Sequence, residues 1–209
     1  MPGRVARSAD EAVAAARALG TPVALKISSA AVVHKSDVGG VLLNVSGDTA
    51  VRDGYARVVA SAQPHGGGTE VLVTAMRTGG VEVLAGVTMD ANFGPVLAVG
   101  LGGIWVETLH DTSLRLLPAD PAEVRRMLTE LRGLPLLQGA RGGTAADLDA
   151  LSRVIAGIGD LACSVSGLQA FEVNPLWVRG DEVEALDVLV VAGQDDTDVS
   201  LRDKGEPVR

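Results

Sequence analysis

Three oxygen-bearing side chains late in the chain have the types and spacing of a magnesium site. Glu172 and Asn174 stand two apart in the run Phe171-Glu172-Val173-Asn174-Pro175, so in a strand they share a face. A second apolar run returns after the polar turn Arg179-Gly180-Asp181, and as a hairpin it sets Asp187 beside them. Two carboxylates and an amide oxygen are hard donors of the kind Mg²⁺ takes. Acidic groups on a hairpin otherwise built of Leu168, Phe171, Val173, Leu176, Leu186, Val188 and Leu189 are poorly explained as a solvated surface.

Two further clusters have the chemistry of anion binding. Lys26 ends the apolar run Pro22–Ile27, where an ammonium must be paired or face a cleft, because a lone buried charge is costly. It would hold a phosphate as a point charge; the other reading is a strand-end lysine whose ammonium reaches solvent. The run His34-Lys35-Ser36-Asp37-Val38-Gly39-Gly40 combines adjacent glycines with Ser and Lys donors. Backbone N–H groups freed by glycine converge readily on an anion. The same composition also suits an ordinary glycine-containing hairpin, and the run matches neither the Walker nor the dinucleotide pattern.

The fourth cluster runs from Phe93-Gly94-Pro95 through Gly100-Leu101-Gly102-Gly103-Ile104, with Glu107, Asp111 and Arg115 downstream. The Arg115 guanidinium has the fork geometry to hold a transferring phosphoryl group; a surface ion pair with Asp111 is the alternative. The glycines serve equally to let strands approach closely.

These residues need elements to hold them. Ser8 and Glu11 make a capping-box pattern for a helix over 12–19, stopped by Gly20. Strands are predicted over 22–27 and 41–45, with a helix from Asp48 to about Ala62. Beyond the turn His65-Gly66-Gly67-Gly68, short β-rich runs follow at 71–74, 81–88, 96–99 and 113–117. Pro121 opens a helix to about Arg132, and a second is predicted over 144–164 with apolar positions at Leu148, Leu151, Ile155, Ile158 and Leu161. Two strands close the pattern, 168–178 and 182–190. The class is α+β. The change of pattern near residue 67 divides a first lobe, 1–67, from a second, 68–191, and residues 192–209 read as a disordered tail.

Composition narrows the partners. Acidic residues outnumber Lys and Arg by 26 to 18, for a formal charge of −8, which argues against nucleic acid because phosphate neutralisation needs a basic face. Nucleotides need only a local cluster of donors. Aromatics are 2% of the chain, so the core must be aliphatic. The one cysteine, Cys163, excludes an internal disulfide and reads as a buried thiol in a helix. No run approaches the ~18 apolar residues of a membrane span and no secretory leader is visible, so a cytoplasmic location is expected.

The segments "PVALKISS", "VVHKSDVGGV", "VEVLAGVTMDANFGPVLAVGLGGIWVETLHDTSLRLLP" and "FEVNPLWV…EALDVLVV", in this order over residues 22–191, resemble the ATP-grasp domain of ADP-forming acetate–CoA ligases. Similar domains occur in succinyl-CoA synthetase β subunits and in the synthetase-like part of some protein lysine acetyltransferases. The resemblance implies an ATP-grasp fold, two α+β lobes with ATP or ADP and Mg²⁺ held between them. It implies that Lys26 contacts the phosphates and that Ser36, Asp37, Gly39 and Gly40 belong to a flap over them. The Val73–Met76 backbone would receive adenine, with Glu82 near the ribose or adenine. Asn174 and Asp187 would hold Mg²⁺ with Glu172 adjacent, and Arg115 would steady the mobile phosphoryl group. His34 is the candidate for a second relay histidine in this lobe. Two positions depart from the family pattern: a further helix and short strand usually stand ahead of the segment that begins at Arg4, and Glu is common where this chain has Ala170.

The implied activity is that of the nucleotide-handling part of an acid–thiol ligase: acyl-CoA + ADP + phosphate ⇌ carboxylate + CoA + ATP. A phosphohistidine would pass its phosphoryl group to Mg-ADP. No second long α/β region for CoA is present, so a CoA-binding α-type partner subunit or domain is expected. The other reading is a nucleotide-sensing module without turnover, of the kind that would stand beside an acetyltransferase domain. A remnant that no longer binds nucleotide is the third.

Overall fold

A computed structural model describes residues 2–32, 35–102 and 111–193. Strand β1 (Gly3–Ala6) leads into helix α1 (Ala9–Leu19), which begins where the sequence signals it. The Ser8 hydroxyl accepts from the Glu11 N–H at 3.2 Å, while the Glu11 carboxylate reaches back to the Arg7 N–H at 2.7 Å. One of the helix's orphan donors and the N–H just ahead of the cap are thereby satisfied. Gly20, at φ 80°, ends the helix in a conformation an L side chain resists.

Strands β2 (Val23–Ile27), β3 (Val41–Val45) and β4 (Val71–Ala75) join β1 in an antiparallel sheet of order β1-β4-β2-β3. Helices α1 and α2 (Asp48–Ala62) cover one face, and Val23, Leu25 and Ile27 pack there with Val13, Val51, Val58 and Val73. The sequence puts β4 in the second lobe. It instead lies between β1 and β2, so the change of sheet falls between Ala75 and Val81 rather than at residue 67.

The second sheet contains β5 (Val81–Asp90), β6 (Gly94–Leu101), β7 (Thr112–Leu116), β8 (Leu168–Arg179), β9 (Glu182–Ala185) and β10 (Val188–Ala192). Its order is β10-β8-β5-β6-β7, with β9 also on β8. Helices α3 (Pro121–Glu130) and α5 (Leu148–Ser164), with the short α4 (Leu134–Leu137), cover one face around an aliphatic core that includes Leu97, Met127, Leu128, Leu151 and Ile155. Helix α5 starts four residues later than predicted, because Asp147 caps it by accepting from the Asp149 and Ala150 N–H groups. Cys163, expected inside, is exposed on this helix.

The predicted closing strand 182–190 is two strands. β9 pairs with Leu176–Arg179 and β10 with Leu168–Val173, and Leu186 and Asp187 form the break between them. Opposite the break stands Pro175, which has no N–H to give a ladder. On the other side of β8 the register with β5 also shifts, leaving Asn174 and Pro175 opposite Leu84 alone. Such a bulge re-aims side chains.

The predicted tail falls on residues outside the described ones, except that Ala192 closes β10 and the Gly193 N–H donates to the Gly167 carbonyl. Among the described residues no helix is long and apolar enough to cross a membrane.

Candidate functional site

Alternation in β2 decides where Lys26 goes. Val23, Leu25 and Ile27 face the helices, so Ala24 and Lys26 project to the opposite face, beside their cross-strand partners Thr74, Leu72 and Val41. That face looks towards the second sheet. Lys26 is only 7% exposed, and its Nζ donates to the Leu186 carbonyl at 2.8 Å. Burial holds its pKa below the ordinary lysine value, aided by the positive charge of Lys35 and opposed by Asp187 and Glu82.

The hairpin supplies the opposite wall. The Asn174 N–H donates to the Asp187 carbonyl at 3.1 Å, so the two residues oppose each other across β8 and the break. Asn174 Nδ2 donates to Glu172 Oε1 at 3.1 Å, the contact that residues two apart on one strand face can make. Both Asp187 carboxylate oxygens lie 3.2 Å from Lys35 Nζ, which crosses from the first lobe.

Between the walls lies a cleft of about 210 Å³. Ala24, Lys26, Ser36, Val41, Leu43 and Thr74 line it from the first lobe, and Glu82, Asn174, Pro175, Leu186 and Asp187 from the second. Ala75 at the end of β4, with Met76 and Arg77 of the chain between the sheets, closes one end. A second cavity of about 360 Å³ shares Lys26, Leu186 and Asp187 and adds Ser28, Lys35 and Leu72. The two adjoining spaces together reach the range of small-molecule sites, roughly 300–1,000 Å³.

The structure therefore brings together Lys26, Ser36, Met76, Glu82, Asn174 and Asp187. Val73 is fully buried against the helices, so only its backbone can face the cleft. Gly39 and Gly40 form the base of the flap turn: the Gly39 N–H donates to Ser36 O at 3.1 Å and the Gly40 N–H to Lys35 O at 2.7 Å. Gly39 sits at φ 71°, and a Cβ on Gly40 would meet Ile27 Cγ2 at 2.8 Å, so both positions require glycine. Asp37 is exposed at the turn's tip. His34 lies outside the described residues, as do Gly103, Ile104 and Glu107.

Arg115 lies away from the site. It does not line the cleft: its Nε donates to Glu123 Oε1 at 2.5 Å, and it also bonds Glu130 and the Ser113 hydroxyl on the helix-covered side of the second sheet. Both carboxylates are held below their ordinary pKa by bonds to arginine, Glu123 by those of Arg126 and Arg115, Glu130 by that of Arg115. The partner is not Asp111 either, because that carboxylate accepts from the Arg132 and Gly133 N–H groups. Arg115 is one residue of a five-residue strand, and neither its spacing nor its type reveals which face it takes.

Two cross-lobe contacts escaped the sequence. Arg77 makes a two-pronged pair with Glu184, at 2.5 and 3.0 Å, and Lys35 meets Asp187. Lys35 already stood out as a donor beside the glycines; nothing links Arg77 to a residue 107 positions away.

For a magnesium ion the fit rests on the donor chemistry. Among the described residues no three His, Cys, Asp or Glu side chains cluster. Because the Asn174 amide nitrogen is spent on Glu172, its oxygen is the atom left to face the cleft beside the Asp187 carboxylate. Mg²⁺ is commonly held by one or two protein oxygens with phosphates and water completing its shell. The residues present fit that pattern, with Glu172 orienting the amide.

A family model described as an ATP-grasp domain matches residues 1–191. The chain is 38% identical over 195 residues to a trans-feruloyl-CoA synthase of an unknown prokaryotic organism, covering 91% of this chain and 28% of that protein. It is 34% identical over 191 residues to the β subunit of acetate–CoA ligase (ADP-forming) I of Pyrococcus furiosus, covering 90% of this chain and 82% of that subunit. The chain thus spans under a third of one relative and most of the other. In structure it is similar to the dinucleotide-forming acetyl-coenzyme A synthetase 1 of Ca. Korarchaeum cryptofilum, in complex with coenzyme A, Ca-AMPCP and HgCl⁺. The TM-score is 0.80 at 31% identity, over 91% of this chain and 85% of that one. A second structure of that enzyme holds coenzyme A and Mg-AMPPCP with its phosphohistidine segment pointing towards the nucleotide binding site; it matches with a TM-score of 0.72 at 29% identity, over 90% and 84%.

Proposed function

The chain belongs to the ATP-grasp family, and from that premise we propose that it is the nucleotide-handling subunit or domain of an ADP-forming acyl-CoA synthetase. One observation carries the reading. The strand-end ammonium of Lys26 and the Asn174–Asp187 hairpin, 160 positions apart in sequence at Lys26 and Leu186, meet in one cleft between two sheets.

In this reading Lys26 holds the nucleotide phosphates, and the flap residues Ser36, Asp37, Gly39 and Gly40 lie over them. The backbone of Val73–Met76 receives the adenine, and Glu82 lies near the ribose or adenine. Asn174 and Asp187 hold Mg²⁺, with Glu172 fixing the amide; when bound, the ion supplies charge neutralisation on the phosphates. Phosphoryl transfer is mostly a matter of position and charge, so what this chain contributes is a fixed ammonium, a flap that excludes water and a hairpin that presents oxygens. Arg115, engaged with Glu123 and Glu130, has no part in it.

The phosphoryl group would travel between a phosphohistidine and Mg-ADP, and the CoA and acid chemistry would belong to a CoA-binding partner subunit or domain. His34 is kept as a second relay histidine, tested by a search for its phosphorylated form. Titration calorimetry with Mg-ADP and Mg-ATP tests the nucleotide reading: micromolar-range binding supports it, and no heat with either removes it. Formation of ATP from acyl-CoA, ADP and phosphate with a co-expressed CoA-binding subunit tests the activity. Nucleotide binding without such turnover would favour a sensing module.

A further inference from the structure

We propose that Lys35 is a further phosphate-binding residue of the nucleotide site, and that before magnesium nucleotide arrives its ammonium holds Asp187 in the ion's place. The inference rests on the nucleotide reading above and adds a residue and an exchange to it.

The backbone of Lys35 is anchored. Gly40 donates to its carbonyl at 2.7 Å, and Ile27 donates to the Gly40 carbonyl at 2.8 Å, so the flap base is tied to the strand that carries Lys26. Gly40 has no space for a Cβ, which would lie 3.0 Å from that same Lys35 carbonyl. From this fixed origin the side chain crosses to the second lobe and is only 18% exposed. Its Nζ stands 3.2 Å from each oxygen of Asp187.

That even contact engages both oxygens that a cation would need. An ammonium and a divalent ion cannot share one carboxylate without strong mutual repulsion at a few ångströms. Magnesium at Asp187 therefore competes with Lys35 for the same oxygens and favours its displacement. Lys35 lines the same cavity as Lys26, and there two ammonium groups face one carboxylate. A displaced Lys35 is already beside the position where Lys26 would receive a phosphate. One ion pair, Lys35 with Asp187, is thus replaced by two contacts: metal with Asp187 and Lys35 with phosphate.

The test measures binding, not turnover, on the whole chain. The variants are K35Q and the charge-preserving K35R. The probes are ADP at saturating magnesium, by calorimetry, and Mn²⁺ alone, by electron paramagnetic resonance. At saturating magnesium, where the ion occupies Asp187 in both proteins, loss of one charged contact to phosphate should weaken ADP binding by K35Q about tenfold. The same substitution should tighten Mn²⁺ severalfold, because Asp187 is released. K35R should lie nearer wild type on both. With wild-type protein binding ADP normally, an unchanged K35Q on either probe overturns the inference alone. If wild-type protein binds no ADP with or without magnesium, the nucleotide reading falls and this inference falls with it.

Discussion

The ammonium of Lys26 donates to the carbonyl of Leu186 at 2.8 Å, so the end of an early strand rests on the break in the last hairpin. Lysine at this depth binds its proton less tightly than usual, chiefly because burial disfavours the charge. Replacement by methionine is expected to weaken Mg-ADP binding by ten- to a hundredfold, on the order of 1.5–3 kcal/mol for a hydrogen bond to a charged group. Calorimetry beside a thermal melt separates this from unfolding.

The same shift has a pH consequence. An anion near Lys26 raises its pKa, so affinity is complete below the free protein's value and declines as pH rises above it. The decline is expected to begin below the ordinary lysine value of about 10.4, and to vanish in the Lys26→Met variant. An affinity flat to pH 10 in the wild type would show that Lys26 stays charged or does not touch the nucleotide.

Asp187→Ala is expected to abolish the magnesium dependence of ADP binding while leaving the melt close to wild type, since the side chain is a third exposed and makes no core contact. Titrating ADP with and without magnesium gives the two affinities. A preserved magnesium effect would remove Asp187 from the site.

Gly40→Ala should damage the flap base. Its Cβ would press on Ile27 and on the Lys35 carbonyl, and overpacking of this kind costs about 1–3 kcal/mol. Both the melting temperature and ADP affinity are expected to fall, and an unchanged melt would mean the turn relaxes freely.

Arg77 and Glu184 form a half-buried pair, 22% and 26% exposed, between the inter-sheet linker and β9. Arg77→Met is expected to destabilise by roughly 1 kcal/mol, lowering the melting temperature by about 2–4 °C. The hydrogen bond from Arg77 depresses the pKa of Glu184, so the unfolded chain holds that proton more tightly than the folded one. The pair's contribution is therefore present above the ordinary carboxylate range and is lost as pH falls through the depressed value. Wild type and variant should converge in stability in strong acid. By contrast Arg115→Ala should leave ADP affinity unchanged, because its partners are Glu123 and Glu130.

What the sequence discloses follows from how local each signal is. Capping at Ser8 and the start of α3 at Pro121 are encoded within four residues, and both stand as read. Alternation puts Glu172 and Asn174 on one strand face, and the hairpin does the rest for Asp187. Lys26 is legible for a different reason: a cation inside an apolar run demands an explanation that only a cleft or a partner provides. Sheet membership is not local, and β4 could be assigned only by its neighbours β1 and β2. Nor does sequence say which face an arginine takes on a short edge strand, which is why Arg115 went to the wrong side. The exposure of Cys163 has the same cause, since α5 turns its apolar stripe to Leu151, Ile155 and Ala162 instead.

Lys26, Lys35 and Arg77 all reach the second sheet within Glu184–Asp187, four consecutive residues near the end of the described chain. During synthesis the first sheet and its two helices emerge complete long before that stretch does. A nascent chain short of residue 187 has its flap and ammonium in place with nothing to close against. Competence for ligand is consequently acquired only when residues 184–187 have joined the second sheet, and not gradually as the first sheet forms.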